Sequence, residues 1–408
     1  MSPARCARTV LAVLLILAVV VAIAVLAGPF WSGALFLLRA APLASESGAR
    51  YFRPLHKGHV DISTGLYFRE DDDFVVDNDV ALAFRRTYMS GDRATRAFGV
   101  GTKHSADWFI RGNADNLISA ELILSDNGRI TFARVTPGHS IATALFRHAA
   151  TPTEFYGAYL GWVGWEWVMR FADGRIAIFK ACGPRPHDLC SVIEMRYPGG
   201  RSTEYVRDDS GRLTGIRSGE QAIAFEYDDG GRIVRGTESS GRKVAYEYDD
   251  RGRLRRATSV TGVARRYDYN DLDEMTAIDE PRWMIENTFE DGRLIQQITR
   301  TPTADPYTLR FAYTVVEGKV AENDVTESDG THTVYRFSDS HYLRSETIDA
   351  RGPRPISVTY DRSDSTNTAL AMTIRCLTSA GHVIRTVPTR PGYDEDMKRY
   401  VIATECRE

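Results

Sequence analysis

The densest carboxylate cluster in the chain is Glu70-Asp71-Asp72-Asp73, with Asp77 and Asp79 just beyond. Clustered acids can hold Ca²⁺, but this spacing is not that of an EF-hand loop, and a solvated turn is the plainer reading. Trp162, Trp165 and Trp167 fall in Gly-Trp-Val-Gly-Trp-Glu-Trp. Two apart on a strand, Trp165 and Trp167 share a face, where they could stack on sugar rings or fill a β core. His56 and His59 lie three apart near Asp61 without a third ligand, which reads as a surface loop. Gly99-Val-Gly101 begins like a dinucleotide fingerprint but lacks the third glycine and a following helix pattern. There is no G-x-S-x-G elbow, no HExxH and no Walker loop. We therefore expect no catalytic set, no cofactor and no metal.

The elements around these residues are short and β-rich. Among 408 residues, 19 Tyr, 17 Phe, 6 Trp and 33 Gly favour many strands and turns. The 51 basic and 54 acidic side chains nearly cancel, so nothing points to nucleic acid. The exception is Thr9 to Ala27, an uncharged apolar run long enough to span a bilayer as a helix. Arg5 and Arg8 precede it, and Gly28-Pro29 then Phe30-Trp31 follow. A small-x-small site at Val25-Leu26-Ala27 leaves cleavage open, but the run exceeds an ordinary signal-peptide core, so we expect a retained anchor through residues 9–27.

Cys6 precedes that span, leaving Cys182, Cys190, Cys376 and Cys406 beyond it. Four cysteines allow three pairings, and no CxxC zinc pattern is present. Local closure favours Cys182–Cys190 and Cys376–Cys406, with buried free thiols as the alternative.

Past residue 200 the chain becomes periodic. Tyr246-Glu-Tyr248-Asp249-Asp-Arg-Gly252-Arg253-Leu254 is the clearest copy, and Phe225-Glu-Tyr227-Asp228-Asp-Gly-Gly231-Arg232-Ile233 matches it position for position. Tyr267 to Met275 keeps the strand, and Tyr205 to Leu213 keeps the turn. The turn positions Gly211, Gly231, Gly252, Asp273 and Gly292 recur at about twenty residues, an array signal. Each unit should be one hairpin: Tyr246 and Tyr248 on one strand face, Asp249 accepting from turn amides, Gly252 left-handed, and Leu254 resuming the apolar pattern.

These residues resemble the YD repeats of Rhs proteins, whose signature is a Tyr-x-Tyr-Asp strand followed by Gly-Arg-Leu. Upstream, Asp61-Ile-Ser-Thr64-Gly65, then Phe84-Arg85-Arg86-Thr87-Tyr88-Met89-Ser90, then Gly99-Val-Gly101 look like the uncharacterised domain that precedes Rhs repeats. Thr102 stands where that domain has tryptophan. The resemblance covers roughly residues 58 to 361. The Rhs core motif and a C-terminal toxin domain are not found after Asp361, so self-cleavage and toxin activity are not carried over.

The expectation is a mainly β chain: an anchor and linker (1–50), a β-rich domain before the repeats (51–200), an open, curled spiral of antiparallel hairpins (201–361), and a strand-rich tail (362–408). The leading domain should cap one sheet edge and the tail the other. The expected function is a non-catalytic bacterial envelope protein, single-pass in the cytoplasmic membrane with its ectodomain in the periplasm or outside, that binds or scaffolds a glycan or protein partner. The alternatives are a truncated relative from a polymorphic-toxin locus and a glycan-active cell-envelope enzyme.

Overall fold

A strand with aromatic residues at every second position must bury that face against neighbours, and a hairpin alone cannot do so. The computed structural model, which describes residues 55–57, 59–76, 82–112, 117–149, 154–180, 189–339, 342–362, 369–388, 402 and 406, shows how this chain solves the problem. The apolar run at Thr9 to Ala27 lies outside the described residues. Among the described residues, no helix is long and apolar enough to cross a membrane.

The chain first forms seven short strands: β1 (Leu55–His56), β2 (Val60–Asp61), β3 (Phe68–Val76), β4 (Leu82–Met89), β5 (Thr95–Arg96), β6 (Gly99–Val100) and β7 (Thr102–His104). β3, β4 and β7 make a three-stranded antiparallel sheet. Eight more follow: β8 (Phe109–Gly112), β9 (Ser119–Ile123), β10 (Arg129–Arg134), β11 (Leu145–Arg147), β12 (Tyr159–Val163), β13 (Glu166–Arg170), β14 (Ile176–Lys180) and β15 (Cys190–Tyr197). Each pairs antiparallel with the next, and β15 returns to β8 through Cys190↔Ile110 and Ser191↔Phe109, closing a small barrel. At this strand number the interior is just wide enough for side chains to fill. Phe132, Phe146, Trp167 and Phe179 fill it, all fully buried.

The far end of β15 pairs instead with β16 (Arg201–Arg207), through Glu194 to Tyr197. From there seventeen strands, ending at β32 (Val383–Pro388), pair in chain order as one antiparallel sheet. The expected continuous curled sheet is therefore present, with no division into propeller blades. Ring closure among the described strands occurs at β8–β15.

Two expectations about the stretch before the repeats are corrected. Where one β-rich domain was expected, two separate cores divide residues 60–195. The leading strands also do not cap an edge. Val60, Tyr67, Phe74, Phe84 and Phe98 share one core with repeat residues from Leu213 to Tyr360 and with Met372 and Ile374 of the tail. The sheet curls around residues 60–106 because that segment supplies the apolar surface its inner face needs. Each such side chain contributes about 1.5–3 kcal/mol on burial.

Candidate functional site

The inner face of the repeat sheet is where the motif residues meet. In the unit around β20 (Lys243–Tyr248), Asp249 closes the turn: its Oδ1 accepts from the amides of Arg251 (3.0 Å) and Arg253 (2.8 Å), and its Oδ2 accepts from Arg253 Nε at 2.7 Å. Gly252 takes φ +78°, a conformation costly for other residues. Arg253 then lies 5.1 Å from the ring centroid of Tyr269 in the next unit, and the Tyr269 hydroxyl donates to the Leu254 carbonyl at 2.9 Å. The same three contacts recur one unit earlier: Arg232 pairs with Asp228 (2.8 Å) and stacks on Tyr248 (4.8 Å), whose hydroxyl donates to the Ile233 carbonyl at 2.6 Å. Gly231 likewise has positive φ, and Tyr227 donates to Leu213 O at 2.7 Å. The motif is thus a linking device, with Asp-Gly-Arg shaping one turn and the next tyrosine clamping it.

Tyr246 and Tyr248 occupy one face as expected, Tyr246 buried and Tyr248 partly so, with Phe225, Tyr227, Tyr267 and Tyr269 in equivalent places. The degenerate copy shows how the leading segment completes the pattern. Asp273 holds the left-handed position at φ +60°, and Asn270 replaces the turn aspartate, accepting from the amides of Leu272 and Glu274 at 3.0 Å each. Among the described residues no repeat tyrosine clamps this turn; Asn287 of the next unit donates instead to the Met275 carbonyl at 3.0 Å. Tyr88 from β4 completes the clamp, donating to Asp273 O (3.0 Å) and accepting from Met275 N (3.0 Å).

Period-2 alternation puts Phe84, Arg86 and Tyr88 on one face of β4, and all three are buried, as is Ser90 just past its end. Phe84 packs on Phe225 at 4.5 Å between ring centroids. Arg86 makes a bidentate pair with Asp73 (2.6 and 2.9 Å), and Tyr246 donates to the same carboxylate at 2.6 Å. Asp71 beside it accepts from Tyr267 (3.1 Å) and pairs with Arg69 (2.8 Å) and Arg265. Burial alone would raise the Asp71 pKa, but the guanidiniums of Arg86, Arg69 and Arg265 hold it below the usual carboxylate range. Burial pushes the Tyr267 phenol up to about 12. Gly99 lies so close to the repeat turn that a Cβ there would stand 2.2 Å from the Gly252 carbonyl oxygen.

The acidic run is therefore a strand, not a solvated turn. Asp71 and Asp73 face inward onto arginines, while Asp72 and Glu70 face solvent and pair with Arg85 at 2.6 and 3.2 Å. His56 and His59 are not gathered on a ligand: His56 contacts Tyr335 (3.1 Å) and Glu327 (3.3 Å), and Asp61 accepts from Ser63. Among the described residues, no group of His, Cys, Asp and Glu is placed to hold a metal ion. The expected aromatic pair also fails. Trp165 sits in the β12–β13 turn at φ +73° and 65 % exposed, whereas Trp167 is fully buried in the barrel against Trp162 at 5.2 Å. Cys376 and Cys406 are bonded. Cys190 is buried in β15, and its expected partner Cys182 lies outside the described residues. A groove of about 590 Å³ beside Arg293, Arg310, Asp324 and Arg351 carries both signs of charge and selects no ligand class.

Comparison with known proteins agrees with the motif geometry. Residues 57–132 match DUF6531, a domain of unknown function, and residues 227–264 match the RHS repeat. No curated protein matches. Among solved structures, a crystal structure of TcdB2-TccC3-TEV is similar over 75 % of this chain and 19 % of that one, at 12 % identity and a TM-score of 0.37. The Photorhabdus luminescens Tc holotoxin pore is similar over 81 % of this chain and 23 % of that one, at 10 % identity and a TM-score of 0.33. This chain spans less than a quarter of either. The matched segments take in the leading strands, the first barrel strands and the clamped turns at Asp228 and Asp249: the chain carries an RHS-repeat segment with a DUF6531 segment ahead of it.

Proposed function

We propose that this chain is a non-catalytic scaffold, held in a membrane through residues 9–27, whose outward surfaces bind a glycan or protein partner. The occupancy of the inner face carries this reading. Tyr67, Phe74, Phe84 and Phe98 fill that face together with the buried Arg86–Asp73 pair, so a ligand has to be met elsewhere. The β12–β13 hairpin is the surface best suited to a sugar ring, because Trp165 and Val163 are 65 % and 63 % exposed there beside half-exposed Tyr159. An exposed aromatic at positive φ spends backbone strain without gaining burial, which is typical of binding positions.

Titrating the full chain in detergent with envelope glycan fragments, read by tryptophan fluorescence, tests the glycan arm. Binding lost in Trp165→Ala while the fold persists supports it, and binding unchanged in that variant refutes the hairpin as the site. Carbonate extraction with protease accessibility tests the anchor, and release of a soluble chain would refute it.

A second reading, membership of a polymorphic-toxin locus, is favoured by the RHS repeat itself. A toxin–immunity gene pair next to this gene would support that reading over the first.

A further inference from the structure

The junction between the leading strands and the barrel holds a set of groups that structural packing alone does not require. Lys103 on β7 is only 3 % exposed, an unusual place for an ammonium without a carboxylate in contact. Its Nζ donates to the Leu124 carbonyl (3.3 Å) and to the Asn127 side-chain oxygen. Asn127 sits in the β9–β10 turn at φ +64°, which turns its amide towards Lys103. The other end of that amide, Nδ2, donates to Asp92 Oδ2 at 2.9 Å. Asp92 is itself nearly buried and paired with Arg96 at 2.8 Å. A buried lysine amine therefore touches a part-buried amide carbonyl whose nitrogen is held by an aspartate.

We propose that Lys103 and Asn127 join in an intramolecular amide cross-link, with Asp92 as the proton carrier. The neutral amine of Lys103 attacks Asn127 Cγ, the Nζ–Cγ bond forms, and the Cγ–Nδ2 bond breaks. The proton shed by Nζ passes to Asp92 and from there to Nδ2, which leaves as ammonia. Atoms and charge balance without oxidant, cofactor or metal.

The surroundings favour both halves of the reaction. Burial, reinforced by the Arg96 cation, pulls the Lys103 pKa down to about 8, so free amine is present near neutrality. Burial would raise the Asp92 pKa, but Arg96 and the Asn127 amide lower it, keeping a carboxylate ready to accept a proton. The competing reaction at an Asn-Gly pair is attack by the Gly128 amide on Asn127 Cγ. That amide is tied up, donating to Asp126 Oδ1 at 2.8 Å. The cross-link would bind β7, which pairs with the repeat-facing β4, covalently to the barrel.

Mass spectrometry of the reduced full chain, purified in detergent and then denatured and digested, tests this directly. The expected result is a branched peptide containing Lys103 and Asn127, lighter than the two linear peptides by one ammonia. Lys103→Arg, Asn127→Ala and Asp92→Ala should each restore the linear sequence mass. The wild-type chain decides the matter even where a variant fails to fold. Linear peptides with an unmodified Lys103 and intact Asn127 from folded protein would overturn the proposal, as would conversion of Asn127 to aspartate.

Discussion

Arg86 offers the sharpest test of how the leading segment is held. Its side chain is 4 % exposed, makes two hydrogen bonds to Asp73 and lies within 6 Å of the ring centroids of Phe98, Tyr246 and Tyr267. Burial works against its charge, and Asp73 more than restores it, raising the pKa well above the ordinary arginine value. Arg86→Met keeps the apolar stem but strands Asp73 in the core with only the Tyr246 hydroxyl as donor. Removing one partner of a buried pair costs about 3–5 kcal/mol. With a urea slope of roughly 3 kcal/mol/M, the unfolding midpoint should fall by about 1–1.7 M. Adding Asp73→Asn removes the stranded charge while keeping an acceptor for Tyr246, so the double variant should recover a good part of that loss. Urea unfolding followed by tryptophan fluorescence measures the wild type, Arg86→Met, Asp73→Asn and the double variant. A cost below about 0.5 kcal/mol for Arg86→Met, as at an ordinary surface position, would refute the reasoning. So would strict additivity in the double variant.

Four further outcomes are expected. His56, His59, His104 and His148 all have pKa values lowered chiefly by burial, so the unfolded chain binds protons more readily. Their stabilisation should be complete above the unfolded value of about 6.5 and fade as pH falls through the lower folded values, with Asp71 adding its loss further down, below about 4; a flat urea midpoint between pH 7 and 5 would contradict this. Tyr248→Phe leaves the Ile233 carbonyl without its donor and should cost about 1–3 kcal/mol by the same unfolding assay. Trp167→Ala should cost about 3–5 kcal/mol, while Trp165→Ala stays within about 0.5 kcal/mol. Reducing Cys376–Cys406, separated by 30 residues, should cost about 2–4 kcal/mol, read as a fall in thermal midpoint on adding reductant.

The repeat half of the fold was legible because its signal is local. Tyr-x-Tyr-Asp and Gly-Arg recur at fixed spacing, and strand alternation with turn chemistry converts that spacing directly into hairpins. What tied one hairpin to the next was hidden: the arginine-on-tyrosine stack and the hydroxyl-to-carbonyl bond pair residues about sixteen positions apart in neighbouring units. The leading motifs were visible as a pattern, yet nothing local says that Tyr88 must clamp the turn at Asp273. The barrel closes through Cys190 and Ile110, a long-range pairing without any period to announce it. Trp165 and Trp167 were misplaced because alternation holds only within a strand, and the Gly164-Trp165 turn interrupts it. The acidic run was misread because composition cannot say which arginines arrive from elsewhere, here Arg86 and Arg265.

Side chains of residues 60–106 form the core of the repeat sheet and are not an appended cap. Native-state hydrogen exchange of the full chain tests it most directly, because a small sheet held on an edge opens independently of the body it decorates. Amides of β3 and β4 should exchange only with the same global opening that releases β20 and the strand Met275–Glu280. Fast exchange across β3 and β4 while those repeat strands stay protected would contradict it.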